Sequence, residues 1–413
     1  MKLIHAADLH LDSPMVGLAR YDGAPEAELR GATRKALTNL VDAAIADDVA
    51  ALLLAGDLFD GDWAHFGTGV HFVGEMARLR DAGIAVVSIS GNHDAESKIT
   101  KELRFPDNVH VLDVKKPETF VLEDVGIAVH GQGYATAAVT EDLSLAYPEP
   151  LGDHFNVGLL HTAVGGRRGH ANYAPCKLST LQEKGYGYFG LGHSHSYEVL
   201  STDPPVLFSG NLQGRNIRER GPKGAVLVEV GADGATYDRL ILDAVRWDVV
   251  EIDVSSSATL DDVAGLARVA LGQAVEQAGH RLLAARVALA GAGEIHHRLL
   301  ADPERLRHEI YGAAADVAGD GIWVEDVRVE TSLAGPPAAI DSGAVGELRA
   351  ELEDISADDD ALVKIGAELG AIEDILPPTL AAEISPTDPR FVSEVLRDLS
   401  VSLPEKLLGG DRG

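Results

Sequence analysis

Short apolar runs in the first half of the chain predict strands that are buried on both faces, because each run is bounded by glycine or polar residues. The runs cover residues 3–7, 51–55, 84–89, 157–160 and 186–191. Between them, apolar residues recur at helical spacing over 31–48 and 67–82. This alternation of strands and helices predicts a layered α/β fold.

A polar cluster follows each of these runs, at the end of the predicted strand. The clusters cover residues 8–10, 56–60, 91–94, 160–162 and 192–195. In layered α/β sheets ligands gather beyond the carboxyl ends of the strands, so clusters that are distant in sequence can form one site. The carboxylate, imidazole and amide side chains of these clusters are ligands that manganese, iron or zinc accept. The pattern is typical of a two-metal hydrolase.

The order and spacing of the clusters resemble those of the calcineurin-like metallophosphoesterases, and among them the DNA-repair exonucleases of the SbcD type. The resemblance extends over about residues 1–250. YhaO-type members are more similar still, because they share stretches outside the metal motifs. Those stretches cover residues 10–14, 129–132, 173–176 and 210–215. The resemblance implies a four-layer α/β/β/α metallophosphoesterase sandwich.

The resemblance also implies seven ligands for two divalent metal ions. One ion would be held by Asp8, His10, Asp57 and His195. The other would be held by Asp57, Asn92, His161 and His193. Asp57 would then bridge two ions about 3.5–4 Å apart, and a hydroxide between them would attack the phosphorus in line. Manganese is the expected metal, with iron, zinc and magnesium as alternatives.

Three further residues receive roles from the resemblance. His93 resembles the histidine that stabilises the phosphate or protonates the leaving alkoxide, so His93 and Asp57 are the candidate catalytic residues. Asp60 and Asp94 are expected to orient imidazoles from outside the coordination sphere. Position 60 departs from the SbcD-type pattern, which often has histidine there, and this departure puts a substrate role for Asp60 in doubt.

A structural interpretation competes with the metal interpretation for each of these residue types. An aspartate at a strand end is usually a helix cap or a turn residue. The five clusters together reverse that expectation for Asp8 and Asp57. His5 lies inside the first predicted strand and His130 at the end of another, so we expect both to be hydrogen-bonded core histidines.

The charge of the chain bears on its substrate. The net charge is −30, of which −11 lies in residues 1–240 and −19 in residues 241–413. Such a chain lacks the basic surface of a protein that binds DNA tightly by itself. Basic residues occur locally at 167–168 and in the stretch that holds Arg215 and Arg218, the two candidate substrate-binding residues. The alternative is that this stretch is a solvated loop without a role in substrate binding. The acidic charge also leaves two possibilities open: that a partner helps the chain to bind DNA, or that the substrate is a smaller phosphate compound.

A chain of 413 residues exceeds one ordinary core, which predicts two or three domains. The metallophosphoesterase domain is expected to cover residues 1–247, closed by a β layer of short strands between 205 and 253. A β-α-β-α-β order over 248–335 resembles the small α+β capping domain that shapes DNA access in SbcD-type nucleases.

Residues 333–338 are predicted to be a linker, and helical patterns follow over 341–413. In the resembled family such C-terminal helices dock on a coiled-coil ATPase of the SbcC type, whereas packing on the chain itself is the alternative. The resemblance also implies a homodimer formed through the phosphoesterase domain. Cys176 is the single cysteine, and neither a leader nor an apolar run near 20 residues occurs, so we expect a cytoplasmic protein without a membrane span.

These features rank three functions. The first is a two-metal phosphodiesterase that acts on DNA as a repair exonuclease or endonuclease. The second is a phosphatase or phosphodiesterase for a small nucleotide or another phosphoester, because one metal scaffold serves many phosphoryl substrates. The third, a non-catalytic scaffold, is disfavoured by the intact ligand set. The additional domains favour the nuclease over the small-molecule enzyme.

Overall fold

A computed structural model gives the fold. It describes residues 1–14, 23–60, 67–96, 103–165, 174–333, 344–370, 385–389, 391–393, 395–397, 399–400 and 403. The basic residues 167–168, residue 173 of a YhaO-like stretch and residues 334–338 of the predicted linker lie outside the described residues, as does much of 371–413.

The predicted strands and helices of the first half are present. The strands are β1 Lys2–Ala6, β2 Ala51–Ala55, β3 Ala85–Ile89, β4 Val109–Val111, β5 Glu118–Leu122, β6 Ile127–Gly131, β7 Phe155–His161, β8 Tyr188–Gly192, β9 Glu198–Thr202, β10 Pro205–Phe208, β11 Gly224–Gly231, β12 Gly234–Ile241, β13 Val245–Asp253, β14 Leu282–Ala292 and β15 Ile322–Ser332. The α-helices are α1 Glu26–Ala46, α2 Gly67–Asp81, α3 Asn92–Glu96, α4 Leu178–Glu183, α5 Leu260–Ala278, α6 Ile295–Ala301, α7 Pro303–Ala318, α8 Ala344–Ala357 and α9 Asp359–Glu368.

The first sheet has the strand order β12-β11-β1-β2-β3-β4. Strands β1 to β4 are parallel, with Leu3 opposite Ala51 and Ala51 opposite Ala85. The Ala-Leu-Leu-Leu-Ala sequence of β2 is buried at every position, because both faces of a central parallel strand are covered. The parallel alignment brings the carboxyl ends of β1, β2 and β3 to the same edge of the sheet.

The second sheet has the strand order β5-β6-β7-β8-β10-β9. Strands β6, β7, β8 and β10 are parallel, and β5 and β9 are antiparallel at the two edges. The expected single closing layer over 205–253 is wrong, since β10 extends the second sheet whereas β11 and β12 extend the first. The edge of each sheet offers unpaired backbone groups, and these later strands pair with them.

Apolar clusters stack these elements into four layers. On the outer face of the first sheet, Leu37 of α1 and Phe72 of α2 share a cluster with Leu52 of β2. The facing sides of the two sheets share a second cluster, in which Leu53 of β2 lies with Val157 of β7. Beyond the second sheet, α4 contributes to a third cluster with β7, β8 and β10. The order helix, sheet, sheet, helix confirms the predicted α/β/β/α sandwich.

The chain divides into two compact units. The first consists of Met1–Val250, Gly272–Arg286 and Ala318–Asp326, and the second of Glu251–Leu271, Val287–Val317 and Val327–Gly413. Strands β13, β14 and β15 form a three-stranded sheet in that order. The expected β-α-β-α-β succession is present, with α6 as an additional helix. The boundaries of the three predicted domains stay predictions. No helix within the described ranges is long and apolar enough to cross a membrane.

Candidate metal centre

The candidate residues meet at the carboxyl ends of five strands from the two sheets. Asp8 and His10 follow β1, Asp57 follows β2, and Asn92 follows β3 in the first sheet. His161 ends β7 in the second sheet, and His193 and His195 follow β8. The two sheets pack face to face through one apolar cluster, so these ends converge although they are distant in sequence.

Four of these residues have a positive φ angle, a backbone conformation that residues other than glycine rarely adopt. The φ angle is 52° at Asp8, 43° at His10, 54° at Asp57 and 100° at His193. Each such residue is destabilised by about 1–3 kcal/mol, and strain of this kind gathers at functional sites. Backbone bonds hold the loops: Asp8 N–H donates to Gly56 O at 3.0 Å, and His10 N–H donates to Asp57 O at 3.1 Å.

Three glycines permit the close approach of these loops. A Cβ at Gly91 would lie 2.2 Å from Asp57 Oδ1, and one at Gly56 would lie 2.6 Å from His161 Nδ1. At Gly192 it would lie 2.0 Å from the carbonyl oxygen of Ala55. Only glycine fits at positions where backbone and ligand side chains approach this closely. The pocket is therefore shaped by its glycines as much as by its polar residues.

One group of potential ligand atoms belongs to Asp8, His10 and His195, and these atoms all lie within 4.8 Å of one another. His10 Nε2 is 3.1 Å from His195 Nε2. His195 Nδ1–H donates to Glu219 Oε1 at 2.7 Å, which fixes the proton on Nδ1 and turns the Nε2 lone pair toward His10. This pairing of a ligand imidazole with an outer carboxylate is common in metal sites.

A second group belongs to Asp8, Asp57 and His161, again within 4.8 Å. His161 Nδ1–H donates to Ala55 O at 2.9 Å, and since a carbonyl can only accept, Nε2 of the neutral ring carries a lone pair. That lone pair faces Asn92 Oδ1 at 3.0 Å and Asp57 Oδ2 at 3.4 Å. With the ring neutral, these three electron-rich atoms need a cation between them. A proton on Nε2 meets that need in the metal-free protein, and the nitrogen and oxygen donors suit a borderline divalent metal.

Asp57 is placed to serve both groups. Its Oδ2 is 3.4 Å from His161 Nε2 and 3.9 Å from His10 Nε2. Although burial opposes ionisation, the neighbouring His161 holds the pKa of Asp57 below its ordinary value. Burial likewise opposes protonation of His161, but Asp57 raises the pKa of His161 to about 9. Burial raises the pKa of Asp8. Two buried carboxylates that attract positive charge fit a pair of divalent ions.

His193 lies at the edge of these groups. Its backbone N–H donates to both carboxylate oxygens of Asp8, at 3.1 and 3.0 Å. Its ring centroid is 5.2 Å from that of His161, and the residue lines the adjacent cavity. The ring belongs to none of the three groups that the 4.8 Å distance defines among the described residues, the third being His10, Asp60 and His93. Its role as a ligand stays a prediction, as do the roles of the other six.

His93 and Asp60 form a pair beside the ligand groups. His93 Nδ1 is 3.0 Å from Asp60 Oδ1, and this contact raises the pKa of His93. The backbone N–H of His93 donates to Asp57 Oδ1 at 3.0 Å. Asp60 also lies 3.6 Å from His10 Nδ1, so it contacts two imidazoles as expected. The His93 side chain is 37% exposed and lines a cavity of about 510 Å³.

Asp94 contacts backbone rather than an imidazole. Its carboxylate accepts hydrogen bonds from the N–H groups of Leu58, Phe59 and Gly91, at 3.0 to 3.2 Å. Burial raises the pKa of Asp94 to about 6. The expectation that Asp94 orients a ring is therefore corrected. Asp94 ties the loop after β2, which carries Asp57, to the start of α3, where Asn92 lies.

Glu219 is an important residue that the sequence did not single out. It sits among the arginines of the basic stretch, where only its acidic character distinguishes it. In the structure it receives the Nδ1 proton of His195 and lies 2.8 Å from Arg215 Nη2. The two candidate substrate residues differ in placement. Arg215 is mostly buried against Glu219, whereas Arg218 is exposed and lines the cavity.

The two expected core histidines are confirmed. His5 is fully buried, and its Nδ1 is 3.0 Å from the hydroxyl of Tyr188. His130 is also buried, between Thr119 Oγ1 and Asn156 Oδ1, each at 2.8 Å. Both ring nitrogens of His130 have partners, as a buried imidazole needs, whereas His5 has a partner at Nδ1 and none among the described residues at Nε2.

Known proteins that are similar to this chain include metal-dependent phosphoesterases, in agreement with a metal centre at this site. Residues 1–197 match the calcineurin-like phosphoesterase family. Residues 247–332 match the middle domain of the metallophosphoesterase YhaO. Together the matches confirm the predicted calcineurin-like and YhaO-type resemblance. The matched family uses a dimetal centre, and the described residues include groups of candidate ligands that could hold metal ions.

Two curated relatives and one solved structure illustrate the similarity. The uncharacterized metallophosphoesterase YhaO of Bacillus subtilis is 34% identical over 264 residues, 63% of this chain and 65% of that protein. The DNA double-strand break repair protein Mre11 of Sulfurisphaera tokodaii is 27% identical over 237 residues, 53% of this chain and 59% of that protein. The chain thus spans less than two thirds of the length of either relative. A dimetal phosphatase structure from Danio rerio aligns with a TM-score of 0.34 and 12% identity, over 58% of this chain and 95% of that one, which adds no support.

Proposed function

We propose that this protein is a two-metal phosphodiesterase that cleaves DNA as a repair exonuclease or endonuclease. The observation that carries the proposal is the meeting of two ligand groups at Asp8, with Asp57 reaching both, beside a cavity that His93 lines. Asp8, His10, Asp57 and His195 would hold one ion, and Asp57, Asn92, His161 and His193 the other. When bound, two divalent ions, manganese by expectation, supply an activated water and offset the charge that develops on the phosphoryl group.

The residues of the chain perform the remaining steps. Asp60 holds the proton of His93 on Nδ1, and its negative charge favours the doubly protonated ring. The other ring nitrogen, Nε2, can then pass its proton to the leaving alkoxide, since His93 is partly exposed in the cavity. Arg218, exposed in the same cavity, can contact a phosphate oxygen.

DNA is the proposed substrate because several of the chain's relatives are named Mre11, a DNA double-strand break repair protein. A DNA substrate agrees with a cytoplasmic location, which stays a prediction. A small nucleotide or another phosphoester is the second candidate. The volume of the cavity, about 510 Å³, and the net charge of −30 favour that candidate, because an extended polyanion is repelled by an acidic surface.

One experiment separates these two candidates. The manganese-loaded protein is incubated with linear duplex DNA, with single-stranded DNA and with a chromogenic phosphodiester, and the Asp57→Ala variant serves as the blank for a contaminating nuclease. DNA cleavage that disappears in the variant supports the nuclease. Hydrolysis of the small ester with intact DNA would favour the second candidate. If Asp57→Ala keeps the activity of the wild type on DNA and on the small ester, both candidate functions are contradicted.

The C-terminal region suggests a partner. Val363 of α9 is 57% exposed and Val395 is 39% exposed, whereas Leu362 and Val392 are buried. Exposed apolar residues on terminal helices suit docking on a coiled coil, and we propose an ATPase of the SbcC type as that partner. Pulldown with and without residues 341–413 tests the proposal, and undiminished capture by the truncated chain would reject it. A homodimer through the phosphoesterase domain also stays a proposal, which sedimentation of the full chain would test.

A further inference from the structure

We infer that Arg215 and Glu219 are positioning residues that connect the outer partners of His195 and His93, and that Arg215 does not bind the substrate phosphate. This inference rests on the proposed function, because it assigns an outer support to that same metal centre. It concerns the loop 210–224, whose arginines the sequence suggested as phosphate contacts.

The carboxylate of Glu219 is held at both oxygens. Oε1 accepts hydrogen bonds from His195 Nδ1 at 2.7 Å and from Arg215 Nη2 at 2.8 Å. Oε2 accepts from the Arg215 backbone N–H at 2.8 Å and from Asn211 Nδ2 at 3.0 Å. The side chain is only 10% exposed. A carboxylate fixed by this many donors can fix the ring that it contacts, so Glu219 sets the direction of His195 Nε2.

The guanidinium of Arg215 is engaged with two carboxylates. Besides Glu219, it contacts Asp60 Oδ2 at 3.5 Å and Ser13 Oγ at 3.4 Å, both through Nη1. The side chain is 17% exposed. A phosphate would have to displace Asp60 or Glu219 to form a bidentate contact, and either displacement would take the guanidinium away from a largely buried carboxylate. Arg218, three residues on, forms no ion pair with another described residue and faces the cavity.

These contacts form a continuous chain from a predicted ligand to the predicted proton donor. His195 contacts Glu219, Glu219 contacts Arg215, and Arg215 contacts Asp60. Asp60 lies 3.0 Å from His93 Nδ1 and 3.6 Å from His10 Nδ1. The buried cation thereby keeps two carboxylates near one another that would otherwise repel, and both carboxylates hold imidazoles in place.

The experiment compares Arg215→Gln with the matched variant Arg218→Gln in the full chain, by calorimetric titration with Mn²⁺ and by steady-state hydrolysis of a phosphodiester. We expect Arg215→Gln to weaken binding of one Mn²⁺ several-fold and to lower kcat with little change in KM. Glu219→Gln should weaken the same ion about tenfold, since the loss of an outer partner typically lowers metal affinity 10- to 100-fold. Arg218→Gln should raise KM and leave Mn²⁺ affinity unchanged.

A double variant and a conservative variant sharpen the test. Because the two residues act as a unit, Arg215→Gln combined with Glu219→Gln should weaken Mn²⁺ binding less than the two separate effects predict. Arg215→Lys keeps the charge without the planar fork and should give an intermediate affinity, and it decides the matter if Arg215→Gln does not fold.

Mn²⁺ affinity that is unchanged in both Arg215 variants, or a rise in KM alone, would overturn the inference. This outcome differs from failure of the proposed function, because the titration requires no turnover. Wild-type protein that binds Mn²⁺ but cleaves no phosphodiester would contradict the proposed function while the titration still tests the positioning role. Wild-type protein that binds no Mn²⁺ would overturn both.

Discussion

The two sides of the candidate metal centre are supported in different ways. The His195 side comprises Asp8, His10 and His195, and its outer support is the Glu219 side chain, which reaches His195 from a loop beyond β10. The His161 side comprises Asn92 and His161, and its outer support is the backbone carbonyl of Ala55 at the end of β2. Asp57 lies between the two sides and is shared by them. One side thus depends on a replaceable side chain and the other on the sheet itself.

This difference predicts different consequences of substitution. A side chain such as Glu219 can be changed while the backbone stays in place, so the His195 side can lose its metal without loss of the fold. The His161 side cannot, because its geometry depends on glycines that let β2, β3 and β8 approach. On the His195 side we expect substitutions that weaken metal binding without lowering the stability of the fold. On the His161 side we expect substitutions to affect metal binding and stability together.

Replacement of the residue that both sides share should have the largest effect. Asp57→Ala removes the carboxylate within 4 Å of both His161 and His10. We expect activity to fall on the order of a thousandfold or more and metal to be lost from both sides, as measured by hydrolysis rate and metal content after dialysis. Retention of two ions by this variant would show that Asp57 is not shared.

Removal of His93 should separate chemistry from metal binding on either side. His93→Ala leaves every predicted ligand in place and deletes the proposed proton donor. We expect kcat to fall by about 10²- to 10³-fold with metal content unchanged, because general acid catalysis typically contributes on that scale. A rate that survives this change would require another proton donor for the leaving alkoxide. The loss should be smaller for a substrate whose leaving group needs no proton.

A methyl group at Gly192 should damage the His161 side and the fold together. The added Cβ would lie 2.0 Å from Ala55 O and 2.9 Å from His161 Nδ1. We expect Gly192→Ala to lower the free energy of unfolding by about 1–3 kcal/mol and to weaken metal binding, as measured by denaturant unfolding and titration. The control is Gly74→Ala in α2, where the Cβ meets no atom within 4 Å and about 0.5–1 kcal/mol of stabilisation is expected. Equal stability of both variants would contradict the coupling.

The pH dependence of the metal-free protein should report on Asp94, which ties together the loops of the His161 side. Burial raises the pKa of Asp94 to about 6, so the folded state holds a proton that the unfolded state releases near pH 4. This group's contribution to stability is therefore present at low pH and is lost as the pH rises from about 4 to 6, by at most about 3 kcal/mol. Asp94→Asn should lose that part of the pH dependence. If the free energy of unfolding changes equally with pH in the wild type and in Asp94→Asn over this range, the raised pKa of Asp94 is contradicted.

The sequence predicted individual helices and strands well, but it predicted less well which sheet a strand joins. β2 was predicted at its observed bounds because all five of its residues are apolar. Strands β10, β11 and β12 were predicted as elements but assigned to one layer, since the alternation of residues does not encode which sheet a strand joins. The edge strand β9 and the short helix α6 were missed, because neither has a long periodic pattern.

The same limit applies to the site. Asp8, His10, Asp57 and His161 could be selected from sequence because each follows or ends an apolar run, and the structure brings them together. Glu219 could not, because its importance arises from a contact across the fold with His195. Asp94 was selected correctly as a residue near the centre, but its backbone partners depend on the geometry of two loops. Outer partners require three-dimensional contacts, whereas ligands follow strand ends.

Electron paramagnetic resonance of the manganese-loaded protein, combined with its metal content, tests directly whether Asp57 bridges two ions. Two ions bridged by Asp57 should lie about 3.5–4 Å apart. We expect two manganese ions per chain, a spin-coupled signal from the wild type, and loss of that signal in Asp57→Ala. A single ion per chain, or two ions that give the signal of isolated manganese, would contradict a bridging Asp57.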